Sequence, residues 1–186
     1  MRIITGIYKG KHFDIPRNFK ARPTTDFAKE NLFNVLRAYL DFEETSALDL
    51  FGGTGSITLE LLSRGCKKVT TVEMDRKHFS FILECIKALK TPAARPLCGD
   101  ALRYIERCRE TYDLIFADPP YALKELGELP DRIMNSQMIK DSTLVVVEHG
   151  KDYDFSAHPY FLEHRAYGSV NFSFFSKQRD TDESEE

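Results

Sequence analysis

An α/β fold built on a mostly parallel sheet is what the sequence predicts, and three observations predict it. From Ser46 onward the chain repeats an apolar run, a turn and an amphipathic stretch, the pattern of β-α units that pair their strands in parallel. The run Leu114-Ile115-Phe116-Ala117 is wholly apolar and stops at Asp118-Pro119-Pro120-Tyr121, as a buried parallel strand does when prolines end its ladder. The last segment, FLEHRAYGSVNFSFFSKQ, alternates around Gly168-Ser169, which predicts a hairpin forming an antiparallel edge.

The elements follow in order. RIITGIYKGKHFDIP alternates apolar and polar residues around Tyr8-Lys9-Gly10-Lys11 and predicts a β-hairpin with a glycine-containing turn. Arg17 to Thr25 is a loop flanked by Pro16 and holding Pro23. Thr24 or Thr25 then caps a helix from Asp26 to Leu40, with the apolar stripe Phe27, Leu32, Val35, Leu36 and Tyr39. ALDLF is a strand, GGTGS a turn, and Ile57 to Arg64 a helix closed by Gly65. A second strand, KVTTVEMD, leads to a helix from Arg76 to Lys90. ARPLCGD is a short third strand and Ala101 to Arg109 a third helix of the repeat. After the Asp118 strand, a helix from Leu123 to Asn135 leads to a fifth strand, STLVVVEHG. Residues 1–44 are expected as an extension of hairpin plus helix on the substrate side. Residues 45–178 form the main domain, and 179–186 a disordered acidic tail.

Bulk properties narrow the class. At 186 residues the chain is long enough for one good core, and no apolar run approaches the ~20 residues of a membrane span. MRIITGIYKGK has no signal-peptide architecture, so a cytoplasmic protein is expected, with a monomer as the default. Cys66, Cys85, Cys98 and Cys108 lie 19, 13 and 10 residues apart without a CxxC pair, which suits neither zinc nor a disulfide scaffold. No metal is expected. The net charge is −3, yet residues 1–37 hold eight Lys or Arg against three acids, a local +5. That segment points to a polyanionic partner, or else is a solvated face.

Three strand tips carry the chemistry. Asp49-Leu50-Phe51-Gly52-Gly53-Thr54-Gly55-Ser56 is a glycine turn that allows close backbone approach to a ligand. It is neither a dinucleotide GxGxxG, since Thr58 stands where the third glycine belongs, nor a P-loop, since no Lys follows. Glu73-Met74-Asp75 ends the second strand about 20 residues on, where an acid can accept from a ribose diol. Asp100 can receive an adenine amine or simply cap the helix beginning at Ala101. Together these tips outline a nucleoside pocket beside Asp118.

D-x-F-x-G-x-G, V-E-M-D, G-D-A and D-P-P-Y, in that order, resemble the AdoMet-dependent class I methyltransferases, and D-P-P-Y resembles those that methylate exocyclic or amide nitrogens. RIITGIYKGK and RPTTDFAKENLFNVL further resemble the bacterial 16S rRNA guanine-N2 methyltransferase family, with Phe27 and Lys29 standing where that family is expected to carry arginines. The resemblance spans residues 1 to about 178. It implies a Rossmann-like fold with seven strands and an activity on the N2 amine of a guanine in 16S rRNA or an assembling 30S subunit. It assigns Asp118, Pro119 and Tyr121 to catalysis. Asp49, Phe51, Gly53, Gly55, Glu73, Met74, Asp100 and Ala101 are assigned to S-adenosyl-L-methionine (AdoMet). Arg22, Pro23 and Thr24 should lie beside the site. Lys9 and Lys11 are candidates for phosphate contact, and Lys124 is either another or a surface residue. A DNA adenine or protein glutamine N-methyltransferase, and a non-catalytic RNA-binding module, are the competing readings.

Overall fold

The computed structural model of the protein describes residues 1–178; the expected acidic tail, 179–186, lies outside them. Five parallel strands are β1 (Ser46–Leu50), β2 (Lys68–Glu73), β3 (Ala94–Cys98), β4 (Tyr112–Ala117) and β5 (Ile139–His149). The hairpin of β6 (Phe161–Tyr167) and β7 (Val170–Phe175) adds antiparallel pairs at one edge. The strand order is β3-β2-β1-β4-β5-β7-β6 in one seven-stranded sheet. It is the doubly wound, Rossmann-like arrangement that the repeat of β-α units predicted, and the chain reverses direction across the sheet between β1 and β4.

Helices cover both faces. α1 (Asp26–Tyr39), α2 (Ser56–Ser63) and α3 (Arg76–Leu89) pack on Ala47, Val69, Leu114, Phe116, Val146 and Phe172. α4 (Ala101–Arg107) and α5 (Leu129–Met134) pack on Leu48, Val72, Ile115, Ala117 and Val147. Residues alternate between faces along each strand, so both layers bury an apolar row.

Two expectations change, and the N-terminal hairpin is trimmed. The N-terminal hairpin is present but short: around the antiparallel bridge of Arg2 to His12, Ile3 N–H donates to Lys11 O and Gly10 N–H to Ile3 O at 2.9 Å, and Phe13 N–H donates to Met1 O at 2.8 Å. The segment between its arms docks on α2: Ile4 and Thr5 N–H donate to the Glu60 carboxylate at 2.9 and 3.0 Å, and Ile7 and Tyr8 N–H donate to Ser63 at 2.8 and 3.0 Å. Donors spent on the helix keep the ladder from extending past Ile3. In α1 the buried face is Ala28, Lys29, Leu32, Phe33 and Leu36, whereas Phe27 is 63% exposed. The helix is turned because Lys29 points inward, donating to Arg2 O at 2.7 Å and Ser56 Oγ at 3.1 Å, with Glu60 Oε2 at 3.7 Å. The helix expected from Leu123 is a turn, a 3₁₀ segment (Leu126–Glu128) and the short α5. Pro130 has no N–H to bond back and its ring opposes a preceding helical turn, so the α-helix starts beside it. The remaining boundaries shift by small steps: α3 stops at Leu89, with Lys90 left-handed at φ 52°, and α4 stops at Arg107.

Candidate active site

Strand register builds the site. Leu50 pairs with both Val72 and Ala117, and Ala117 pairs with Val147. The next residue on each of those partners is an acid: Glu73, Asp118 and Glu148. Alternation turns all three toward the face covered by α2 and α3, the face that also holds Asp49, Thr71 and Phe116. The carboxyl ends of the parallel strands thus present a row of acids beneath the glycine turn, where doubly wound sheets bind ligands.

The turn itself is strained into place. Phe51 has φ 60° and Gly55 φ 81°. A Cβ on Gly55 would sit 3.1 Å from Ile82 Cγ1, and one on Gly52 would sit 2.6 Å from Thr71 Cγ2. Only glycine lets this loop lie so close to α3 and β2. Glu73 holds the loop down, accepting from Gly53 N–H at 2.6 Å and Asp75 N–H at 2.9 Å. Met74, next to it, is 67% exposed and offers an apolar surface. Asp100 half-faces solvent and caps α4, accepting from Leu102 N–H at 2.9 Å, with Ala101 buried behind it. Both readings of Asp100 therefore stay compatible with its geometry. Asp49 is deeper and only 2% exposed, accepting from Thr58 Oγ1 at 2.7 Å. Burial pushes its carboxyl up to about 8, so it lies under the turn as a mostly neutral group rather than an open acid.

On the other side of β1, Asp118 sits at the β4 tip with the buried Pro119 behind it. Burial raises the Asp118 carboxyl to about 6. The Pro120 carbonyl accepts from Leu123 N–H at 2.9 Å and is already engaged. Tyr121 is half-exposed and donates its hydroxyl to Glu148 Oε1 at 3.3 Å. Glu148 is buried, and sequence reasoning missed it. Its signal was present, since it ends the apolar run of STLVVVEHG as Asp118 ends its own. His149, its neighbour, faces the opposite way and bonds Ser173 Oγ at 2.7 Å.

The loop before α1 crosses the site. Phe19 packs on His78 and Phe81 of α3, with ring centroids 4.6 and 5.3 Å apart. Ala21 lies over the glycine turn, its Cβ 3.5 Å from where a Gly53 Cβ would stand. Arg22 follows it, exposed, with Pro23 and Thr24 half-buried. Lys124 is exposed three residues past Tyr121. Lys9 and Lys11 are not brought to the site. Lys11 Nζ donates to Ala88 O at 3.0 Å, at the end of α3 away from the strand tips. Lys29, inside the core, is not available to RNA either. Among the described residues, no three His, Cys, Asp or Glu side chains are placed to hold a metal ion, and no helix is long and apolar enough to cross a membrane.

Comparison with known proteins fits this arrangement. The family model described as "Conserved hypothetical protein 95" matches residues 1–176. The Bacillus subtilis protein named "Putative rRNA methyltransferase YlbH" is 35% identical, over 83% of this chain and 85% of its own. The Escherichia coli protein named "Ribosomal RNA small subunit methyltransferase D" is 31% identical, over 80% of this chain and 74% of its own. The solved structure named "Putative methyltransferase yhhF from Escherichia coli" superposes with a TM-score of 0.82 at 28% identity, covering 95% of this chain and 97% of that one. With the family model spanning nearly the whole chain, the protein belongs to the conserved hypothetical protein 95 family, together with the small-subunit rRNA methyltransferase D proteins that it resembles along most of their length.

Proposed function

We propose that the protein is an AdoMet-dependent N-methyltransferase acting on the exocyclic N2 amine of a guanine in small-subunit ribosomal RNA. The observation that carries the reading is Asp118 beside the Pro119 carbonyl, one strand from a glycine turn clamped by Glu73. The relatives' names support ribosomal RNA as the substrate.

The residues fit AdoMet. The open backbone at Gly53 and Gly55 takes the methionine part, with Asp49 beneath and Phe51 beside it. Glu73 takes the ribose hydroxyls, Met74 lies along the adenine, and Asp100 with Ala101 meets its amine. When bound, AdoMet supplies an electrophilic methyl group whose S–C bond breaks, its electron pair going to sulfur, as the new N–C bond forms.

The protein's task is to make a poor nucleophile react. A guanine amine is weakly nucleophilic because its lone pair is delocalised into the ring. Asp118 and the Pro119 carbonyl accept its two hydrogens, turn the nitrogen toward sp³ and aim the lone pair at the methyl. The adjoining prolines keep that acceptor pair rigid. Tyr121 stacks on the base, worth about 1–3 kcal/mol. In-line positioning supplies most of the barrier reduction, and Asp118 takes the proton that the methylated amine sheds. The base is splayed out of the RNA to reach this pocket. Arg22, Pro23 and Thr24 flank it, while Lys9, Lys11 and Lys124 meet phosphates farther along the RNA.

Tritiated AdoMet offered with protein-free 16S rRNA, 30S subunits, DNA and cell protein tests the reading, with nucleoside analysis of the labelled product. Label on rRNA as N2-methylguanosine is expected. Label on DNA or protein alone overturns it. Asp118→Ala should abolish transfer while AdoMet affinity, measured by calorimetry, changes little; a large loss of affinity would make Asp118 a cofactor residue.

A further inference from the structure

Glu148 stands next to Asp118 in the row of strand tips, because Ala117 pairs with Val147 and each carries an acid at the next position. Its Oε1 accepts the Tyr121 hydroxyl, and its Oε2 is buried with no hydrogen-bond donor among the described residues. The residue opposite it on β7 is Phe172, which is apolar. The ionisable groups facing Glu148 are therefore Asp118 from β4 and Tyr121 from the loop after it, with Asp49 one strand beyond Asp118. The Asp118 and Glu148 side chains stand side by side on one face at adjacent strand tips, and the Asp118 charge acts on Glu148. Two ionised carboxylates have only acceptors to offer, so a bond between them requires a shared proton.

We propose that Glu148 is a positioning residue for Asp118: its protonated carboxyl donates to one Asp118 oxygen and leaves the other oxygen aimed at the substrate amine. Tyr121 fixes the far oxygen of Glu148, so the base-stacking residue and the amine acceptor are tied through one carboxyl. Burial and the Asp118 charge push the Glu148 carboxyl up, and Glu148 is buried where Asp118 is half-buried, so the shared proton sits on the more enclosed Glu148. The proton count closes. Before transfer Glu148 is protonated and Asp118 ionised. The methylated amine is a strong acid and gives its proton to Asp118, so both carboxyls are then neutral. One proton passes to solvent as the product leaves. When Glu148 ionises, two adjacent anions repel and the amine acceptor loses its orientation.

The inference rests on Asp118 accepting from the substrate amine, as in the function proposed above. Its test compares Glu148→Gln with Glu148→Ala, because an amide donates to Asp118 and accepts from Tyr121 at every pH. Glu148→Ala should lower kcat ten- to a hundredfold, the scale of a misaimed reacting group. Glu148→Gln should restore most of that loss and remove the alkaline limb of the kcat–pH profile of the wild type. A second readout needs no substrate. Glu148 binds its proton more tightly in the folded chain than its ordinary value of 4.5 allows, so its contribution to stability is full below about 4.5 and is lost as pH rises toward about 9. The melting temperature of Glu148→Gln should accordingly gain on the wild type as pH rises from 5 to 9. If Glu148→Gln is as inactive as Glu148→Ala, Glu148 works as an anion and the proposal is wrong. If its pH profile and its melting behaviour both match the wild type, the role is structural only, and the proposal is equally wrong. Wild-type label found on an adenine would defeat the guanine assignment while leaving the variant comparison readable. With no transfer at all, the melting comparison still decides.

Discussion

At Tyr121 two roles are separable by substitution. The ring is half-exposed beside the acceptor pair, while the hydroxyl reaches Glu148. Tyr121→Phe keeps the stacking surface and loses the tie, and Tyr121→Ala loses both. The expected result is a several-fold fall in kcat for the first. For the second, transition-state stabilisation falls by about 1–3 kcal/mol more in kcat/KM, the worth of a base–aromatic stack. Equal effects from the two variants would mean that the ring does not stack. Gly55 is a different case, in which the backbone itself is the constraint. Its φ is 81°, and a Cβ there would meet Ile82 Cγ1 at 3.1 Å. Gly55→Ala should therefore destabilise the chain by about 1–3 kcal/mol in urea unfolding and weaken AdoMet binding with it. At this scale much was legible, because an acid directly after an apolar run is conspicuous: Glu73, Asp100 and Asp118 could each be assigned a strand tip. Glu148 obeys the same rule but was passed over. Its meaning depends on which strand lies beside β4, and pairing between β4 and β5 is a register, not a local pattern.

Elements were legible where their period decides and illegible where a distant partner does. The β-α repeat and the terminal hairpin follow from runs, turns and alternation, and the structure has them in the expected order. The face of α1 differs from its apolar period because of Glu60, which also holds the N-terminal hairpin to α2. This carboxylate is fully buried in α2, and it accepts from Ile4 and Thr5 N–H and from Arg64 Nε at 3.1 Å, with Lys29 beside it. A lysine and a glutamate 31 positions apart give no local sign that they will meet in a core. Burial pulls the Lys29 ammonium below its ordinary range, with the Glu60 charge opposing that shift. Removing one partner of such a pair strands the other. Glu60→Ala should therefore cost about 3–5 kcal/mol in chemical denaturation and release residues 1–13 to proteolysis; Glu60→Gln, which keeps an acceptor, should cost less. A loss below about 1 kcal/mol for the alanine variant would show that the network is incidental.

Across the whole molecule, charge is divided between two places. The protein carries −3 in all, but its first 37 residues carry +5, and they run from the far end of α2 and α3 up to the strand tips. Lys11 is anchored at the last turn of α3, and Arg22 lies next to the loop that covers the glycine turn. α3 has 14 residues, so at ~1.5 Å per residue the two ends of this basic track are about 20 Å apart. A polyanion laid along it would meet Arg22 at the reacting base and Lys9 and Lys11 only through remote phosphates. Those contacts differ in what they control. Each phosphate neutralised should steepen the fall of log affinity with log salt by roughly 0.7–0.9. Lys9→Ala with Lys11→Ala should therefore flatten that slope by up to about 1.8 and act through KM, because neither residue approaches the amine. Arg22→Ala should flatten it by about one contact and lower kcat as well, because in the proposed site it also flanks the base. Filter binding of 16S rRNA from 50 to 300 mM salt, with steady-state kinetics on the same variants, measures both quantities. An unchanged slope for the double lysine variant would remove the far end of the track from the RNA path and confine recognition to the strand tips.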